Sequence, residues 1–301
     1  MSLLLQILSQ TLNSSSPLVL AAMAGILSER SGVVNIALEG MMLLGAFVAI
    51  PVAATWGTAA GIAAAILAGV LLGLLHGTAT QKLRIGAVVS GVAINVLATG
   101  ITKYLALVPS IPQSADGTNT LAVPGLSSIP VLGPILFNQS PFTYFGWFAA
   151  AAVSFFLWRT PWGLRVLASG ENPDAVKAAG INVVSLRLAT LSAAGALAAI
   201  GGAQLSLGDV HNFTNNMTAG RGFMALAAVV FGRWRPAGAF AACVFFVFAD
   251  ALMSGLQILP GFGSRVPSEL AAMLPYIATL VALVFFSRQV RSPAALADTG
   301  D

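Results

Sequence analysis

Charge is what this sequence has least of. Of 301 residues, 14 are Lys or Arg and 10 are Asp or Glu, 8% of the chain, where a soluble domain carries roughly 25%. So few charges cannot cover a water-facing surface, which excludes an ordinary soluble domain. The net charge of +4 makes no case for a nucleic-acid partner, because basic residues in so apolar a chain serve to set membrane orientation. Cysteine is nearly absent: Cys243 stands alone inside an apolar run, which excludes a disulfide framework and a thiolate metal site. The two histidines, His76 and His211, are far apart and lack companion ligands, so no metal centre is expected. There is no G-x-x-x-x-G-K-[ST] phosphate loop, so the chain is not expected to hydrolyse ATP itself. The opening stretch "MSLLLQILSQTLNSSSP" has neither a basic n-region nor an Ala-x-Ala-like cleavage site. It does not read as a cleaved signal, and residues 1–16 are expected to form a short interfacial helix.

What the sequence has in abundance is apolar surface: 57% hydrophobic residues, a mean hydropathy of +0.88, and 31 glycines. Small residues let membrane helices approach closely. The expected fold is all-α, a polytopic helical membrane protein of about eight or nine spans in one domain over residues 1–301. A span needs about 20 mostly apolar residues. No charge falls between Glu39 and Lys82, which leaves room for two passes hinged at "TWGT" (55–58). Further passes are expected between Arg84 and Lys103 and over 142–158, 188–207, 237–259 and 270–286. Basic residues cluster at Lys82 and Arg84, at Arg159, Arg165, Lys177 and Arg187, at Arg233 and Arg235, and at Arg288 and Arg291. The positive-inside rule puts these clusters, and a tail over 287–301, in the cytoplasm. Residues 107–140 then form an external loop and 159–187 a cytoplasmic one, with Arg221 and Arg265 as single outer exceptions. Two apolar segments are too short to cross: 17–27, and the uncharged run between Arg221 and Arg233. Short, glycine-interrupted segments point to discontinuous helices around a translocation path; tilted helices in a thinned bilayer are the plain alternative.

The cytoplasmic loop contains "GENPDAVKAAGIN", which carries a full set of helix punctuation. Asn172 is a good N-cap, Pro173 suits the first helical position, and Asp174 favours the positive N-terminal end. Lys177 lies toward the C-terminal end, and Gly180 supplies a left-handed stop. About two turns of helix are too short to be stable alone. This one has to dock, either on its own bundle or on a separate motor subunit.

A second polar stretch, "SERSGVVNIALEG" (28–40), separates two apolar runs. Glu29 and Arg30 read as a solvated cytoplasmic turn. Asn35 and Glu39 are four apart and share one helix face. A carboxylate entering a membrane helix costs about 2.5–3.5 kcal/mol on insertion scales, so such residues face the protein interior or a water-filled path. Two readings stay open. Glu39 braces a helix break by bonding free backbone N–H groups, or Asn35 and Glu39 line the path and meet a polar solute. Asn95, Gln204 and Asp250 are open in the same way, between helix-to-helix bonding and path lining. The outer stretch "GDVHNFTNNMTAGRG" (208–222), with Asn216 and Arg221, is polar and reads as an outer gate or a solvated loop. Asn212 and Asn216 also match the short N-x-T pattern.

Taken together, "SERSGVVNIALEGMMLLGAF", "SGVAINVLATGITKYL", "GENPDAVKAAGINV" and "TAGRGFMALAAVVFGRWRPAGA" resemble the permease subunits of ATP-binding-cassette importers, over about residues 17–286. The nucleoside and simple-sugar branch is nearest, with ribose and branched-chain amino-acid permeases more distant. The resemblance implies an all-helical permease of the bacterial cytoplasmic (inner) membrane, paired with a second, similar permease and one or two cytosolic ATPase subunits. An extracytoplasmic binding protein or lipoprotein would deliver the solute, docking where 208–222 faces outward. It implies that Glu171, Asn172, Pro173, Asp174, Lys177 and Gly180 form a coupling helix inserted into a groove of the ATPase. Solute, nucleosides first and a simple sugar such as ribose second, would cross between the two permeases; ATP is bound by the partner, and no cofactor is expected on this chain. Two rival classes remain. An ion-driven carrier would lean on Glu39 and Asp250 as proton carriers but has less need of the cytoplasmic helix. An intramembrane serine protease would want a Ser and a His on facing helices, for which Ser254 and His211 are loose candidates.

Overall fold

Proline at position 17, behind three serines, is where the sequence suggests an end to the first helix, yet the chain runs straight through it. The computed structural model describes residues 3–127, 129, 132–257 and 292–296, and its first element is α1 (Leu3–Arg30), a continuous helix of 28 residues. After non-helical residues 31–37 come α2 (Leu38–Trp56) and α3 (Thr58–Gln81). Gly57 reverses the chain between them with φ 87°, a conformation open to glycine. After α4 (Ala87–Leu105), β1 (Leu121–Ala122) pairs antiparallel with β2 (Asn138–Gln139), with α5 (Leu132–Leu136) between them in the chain. Next are α6 (Pro141–Arg159), α7 (Pro161–Glu171), α8 (Pro173–Ala178) and α9 (Val183–Ala203), which winds on as a π-helix, Gln204–Val210. Last come α10 (Arg221–Phe231), α11 (Pro236–Gln257) and a 3-10 turn, Ala294–Leu296.

Among the described residues six helices are long and apolar enough to cross a membrane: α1, α2, α3, α4, α6, and α9 with its π extension. The stretches Arg221–Phe231 and Pro236–Leu252 add shorter apolar helices. This is the all-α, multi-pass architecture expected. The pass expected at 270–286 and the residues Arg265, Arg288 and Arg291 lie outside the described residues.

The centre of the bundle is α9, packed against α1, α2 and α3. The α3–α9 seam is built on small residues. Gly69, Gly73 and Gly77 recur every fourth residue along α3, and a Cβ on Gly69 or Gly73 would collide with the carbonyl of Gly195 or Leu191. Without a hydrophobic force between helices in lipid, such close backbone approach supplies the packing attraction. On the neighbouring seam a Cβ on Gly45 of α2 would meet the Ala199 carbonyl at 2.5 Å.

The expectation of an interfacial helix over 1–16, with a segment over 17–27 too short to cross, is therefore corrected: both belong to α1. The hydroxyls that look like a breaker are satisfied in place. Thr11 Oγ1 donates to the Ile7 carbonyl at 2.7 Å, Ser15 Oγ to Leu12 at 2.9 Å, and Ser16 Oγ across to Phe142 of α6 at 2.9 Å. Pro17 cannot donate to the Asn13 carbonyl four residues back. Gln204 Nε2 donates to that carbonyl instead, at 3.3 Å. Residues 159–187, expected to hold one short helix, hold two: α7 starts at Pro161 with Thr160 as its N-cap.

Candidate functional site

The backbone of residues 31–37 has left helical geometry inside the bundle, and its polar groups need partners there. Side chains from four other helices supply them, one being Ser169 of α7, whose Oγ donates to the Ser31 carbonyl. His76 of α3 is buried, its Nε2 lying 3.1 Å from the Val34 carbonyl and its Nδ1 3.0 Å from Ser90 Oγ. Asn95 of α4 donates through Nδ2 to the Ile36 carbonyl (2.9 Å) and accepts through Oδ1 from Gly40 N–H (2.8 Å). Gly40 lies in the first turn of α2, where helix N–H groups have no partner of their own, so Asn95 caps α2 from outside. Asn95 lies eight residues into α4, so this contact is about 12 Å along that helix from its start. Arg187 of α9 closes the lower side, donating to the Ser31 carbonyl at 2.9 Å, to Gln81 Oε1 at 3.0 Å and to the Ser169 carbonyl at 3.2 Å.

Glu39, only 8% exposed, braces a helix start, and the helix belongs to another part of the chain. Its Oε1 accepts from Thr218 Oγ1 at 2.6 Å and Gly220 N–H at 2.9 Å; its Oε2 accepts from Gly222 N–H at 2.7 Å. The two N–H groups lie at the N-terminus of α10 and the Thr218 hydroxyl joins them from the preceding turn; a negative charge there also meets the positive end of the helix dipole. The approach needs glycine: a Cβ on Gly222 would fall 2.5 Å from the Glu39 nitrogen. With 11 residues, α10 is about 16 Å long, half of a hydrocarbon core. Two helices thus begin side by side within the bundle, α2 after its break and α10 after the loop over 211–220. That is the discontinuous arrangement the short 221–233 segment suggested.

Of the five residues considered for a path, Glu39, Asn95 and Gln204 make backbone-bracing bonds. Asn35 is fully buried in the break; its Nδ2 lies 3.9 Å from Met41 Sδ, and its Oδ1 is without a hydrogen-bond partner, as is Gln204 Oε1. Arg221 lines a polar pocket of about 460 Å³ with Gln10, Asn13, Asp209 and Thr214. Asn216 lies apart, exposed, in left-handed backbone at φ 59°. Asp250 is exposed on α11.

Glu29 and Arg30 differ from expectation: they are not a solvated turn. Glu29 is buried and accepts from Trp234 Nε1. Arg30 Nε donates to the Trp234 carbonyl at 3.0 Å, its Nη1 lies 3.7 Å from Glu171 Oε1, and its guanidinium stacks over Trp158. The sequence neighbours "SER" look like a turn, while the partner that buries them is some 200 residues away. Beyond this clamp, α8 projects. Asn172 Oδ1 accepts from Ala175 N–H at 3.0 Å, Pro173 takes the first helical position, and Lys177 pairs with Asp174 at 3.0 Å. Gly180 ends the turn at φ 77°. Glu171 closes α7, one residue earlier. Within α8 only Val176 is buried, so most of the helix surface is left for something else to cover.

Broken helices meeting inside a multi-pass bundle, with a capped helix projecting from one end, define a membrane transport subunit. The family model described as a branched-chain amino acid transport system permease component matches residues 7–283, and the chain belongs to that family. It is 39% identical to the guanosine ABC transporter permease protein NupQ of Bacillus subtilis, over 96% of this chain and 94% of that one. It is 35% identical to the nucleoside ABC transporter permease protein NupC of Lactococcus lactis, over 96% and 94%. It is 26% identical to the glucose ABC transporter permease protein TsgB13 of Haloferax volcanii, over 93% and 77%. No solved structure matches the chain.

Proposed function

We propose that this chain forms the translocation path of an importer that takes nucleosides across a bacterial cytoplasmic membrane, driven by ATP hydrolysed on a separate cytosolic subunit. The observation that carries the reading is α8: a six-residue helix, capped at Asn172, stopped at Gly180, and exposed except at half-buried Pro173 and buried Val176. A helix this short is not stable alone, and its uncovered face suits the groove of an ATPase. Glu171, Asn172, Pro173, Asp174, Lys177 and Gly180 are its coupling residues. The chain itself carries no reaction. A second, paralogous permease completes the path, and an extracytoplasmic binding protein or lipoprotein delivers solute to the outer face near Asn216 and Arg221. Glu39 and Asn95 hold the shape of the path, while Asn35 and Gln204, each with an idle acceptor, are the residues left to meet the solute. Relatives named for guanosine and for nucleosides support the solute class. The glucose permease relative keeps a simple sugar as the second reading.

The test is purification from the native membrane in mild detergent, with every co-purifying protein identified by mass. A cytosolic ATPase and a second permease are expected with the wild type. With Glu171→Lys and Asp174→Lys together, the ATPase is lost while membrane insertion is unchanged. Retention of the ATPase, with normal uptake, by that double variant sinks the coupling assignment.

A further inference from the structure

The two carboxylates that flank the helix break, Glu29 at the end of α1 and Glu39 at the start of α2, are both spent on the same short helix. Glu39 takes the Thr218, Gly220 and Gly222 donors at the start of α10. Glu29 takes the indole N–H of Trp234, in the turn that follows α10. That turn is unusual in itself. Arg233 and Trp234 are consecutive non-glycine residues in left-handed backbone, at φ 55° and 53°, a conformation that persists only when the surroundings hold it. So α10 spans the break as a strut about 16 Å long, gripped at each end.

The lower grip is also where the cytoplasmic helices arrive. Asn172 alone separates α7 from α8 and serves both: its N–H bonds back to the Ala168 carbonyl at 2.8 Å, and its side chain caps α8. No slack loop lies between them. The last turn of α7 rests on residues 30–32 without a gap, since a Cβ on Gly170 would collide with the Arg30 carbonyl. Ser169 Oγ donates to the Ser31 carbonyl at 3.2 Å, and Arg187 bonds the Ser31 and Ser169 carbonyls together. Close-packed contacts of this kind transmit displacement instead of absorbing it. Arg30 then joins the two sides through one side chain, with Glu171 of α7 at 3.7 Å and the Trp234 carbonyl beyond α10 at 3.0 Å.

We propose that Arg30 is the joint that passes movement of the α7–α8 module to α10, with Arg187 clamping the same turn from α9. Both are positioning residues and neither meets solute. The proposal rests on the coupling reading of α8 given above. Its chemistry favours a joint over a weld. The ion pair to Glu171 is long and its carboxylate is 57% exposed, so that side of the link is weak and able to break and re-form. The Trp234 side is a hydrogen bond of ordinary length, 3.0 Å, and partly buried.

Contacts nominate such a route, and a coupling measurement has to establish it. The complete transporter, this permease with its partner permease, ATPase and binding protein, is reconstituted in vesicles, and labelled guanosine uptake and phosphate release are read on the same sample. The wild type tests the functional reading: absence of ATP-driven uptake there refutes the function and not the joint. With uptake established, Arg30→Gln is expected to lower solute moved per ATP at least tenfold while hydrolysis stays within twofold. Arg30→Lys, which keeps the charge beside Glu171 but loses the Nε–H donor, falls between. Trp234→Phe, which removes the indole N–H given to Glu29 together with part of a buried ring, lowers the same ratio and tests the grip at that end of α10 if Arg30→Gln does not assemble. A ratio equal to wild type in these variants, or uptake and hydrolysis falling together by one factor, overturns the proposal.

Discussion

Replacing Glu39 by Gln removes one charge and almost no volume, and the consequences follow from the three donors around it. An amide has one oxygen. If that oxygen keeps the Thr218 and Gly220 donors, the amide nitrogen must face Gly222 N–H, where the carboxylate now accepts at 2.7 Å. A hydrogen bond to a charged group is worth about 1.5–3 kcal/mol, and a buried donor left unmade costs a further 1–3 kcal/mol or so. The two surviving bonds weaken to roughly half. Relief from holding a buried charge offsets part of this, leaving a net loss of about 3 kcal/mol concentrated at the start of α10. Hydrogen exchange followed by mass spectrometry reads it locally. At about 1.4 kcal/mol per tenfold, peptides covering 218–226 exchange roughly 100-fold faster in Glu39→Gln, while α3 peptides are unchanged. Wild-type protection at 218–226 in that variant would refute the bracing role and return Glu39 to the path.

Two further substitutions probe the frame. Gly195→Ala places a methyl against the Gly69 carbonyl and forces α3 from α9; the cost is set by overpacking, about 1–3 kcal/mol, seen as a lowered thermal midpoint in detergent, and an unchanged midpoint would show that the seam yields. Asn95→Ala strips the cap from Gly40 and the donor from Ile36, leaving two partly buried backbone groups unpaired at about 1 kcal/mol or more each. Exchange should quicken over 36–41, and Asn95→Asp, which restores the acceptor for Gly40 but not the donor for Ile36, should recover only part of the protection.

How far the sequence carried the argument depended on how local each interaction is. The α8 punctuation was legible because Asn172, Pro173, Asp174 and Gly180 act within eight residues of one another. The reversal at "TWGT" was legible for the same reason. Glu39 was legible as an anomaly, a carboxylate in a span, and bracing was one of its two readings. Its partners, 179 to 183 residues away, were not readable from its neighbours. Glu29 and Arg30 were misread for that reason, since "SER" before glycine has the composition of a solvated turn and nothing nearby announces Trp234. The serines before Pro17 misled in the opposite direction. In water such hydroxyls compete with helix formation; inside the bundle they bond to their own helix and to α6. Thr160 and Pro161 did carry a signal for α7, the same cap-and-proline pattern as Asn172 and Pro173, but the basic loop around them masked it.

The most direct measurement of the central claim is solute entry into vesicles holding the full transporter, with labelled guanosine and labelled ribose supplied in turn, with and without ATP on the ATPase side. The account predicts guanosine accumulation that requires both ATP and the binding protein, with ribose excluded. Accumulation of either solute by this chain alone, driven by an ion gradient without ATP, would contradict it.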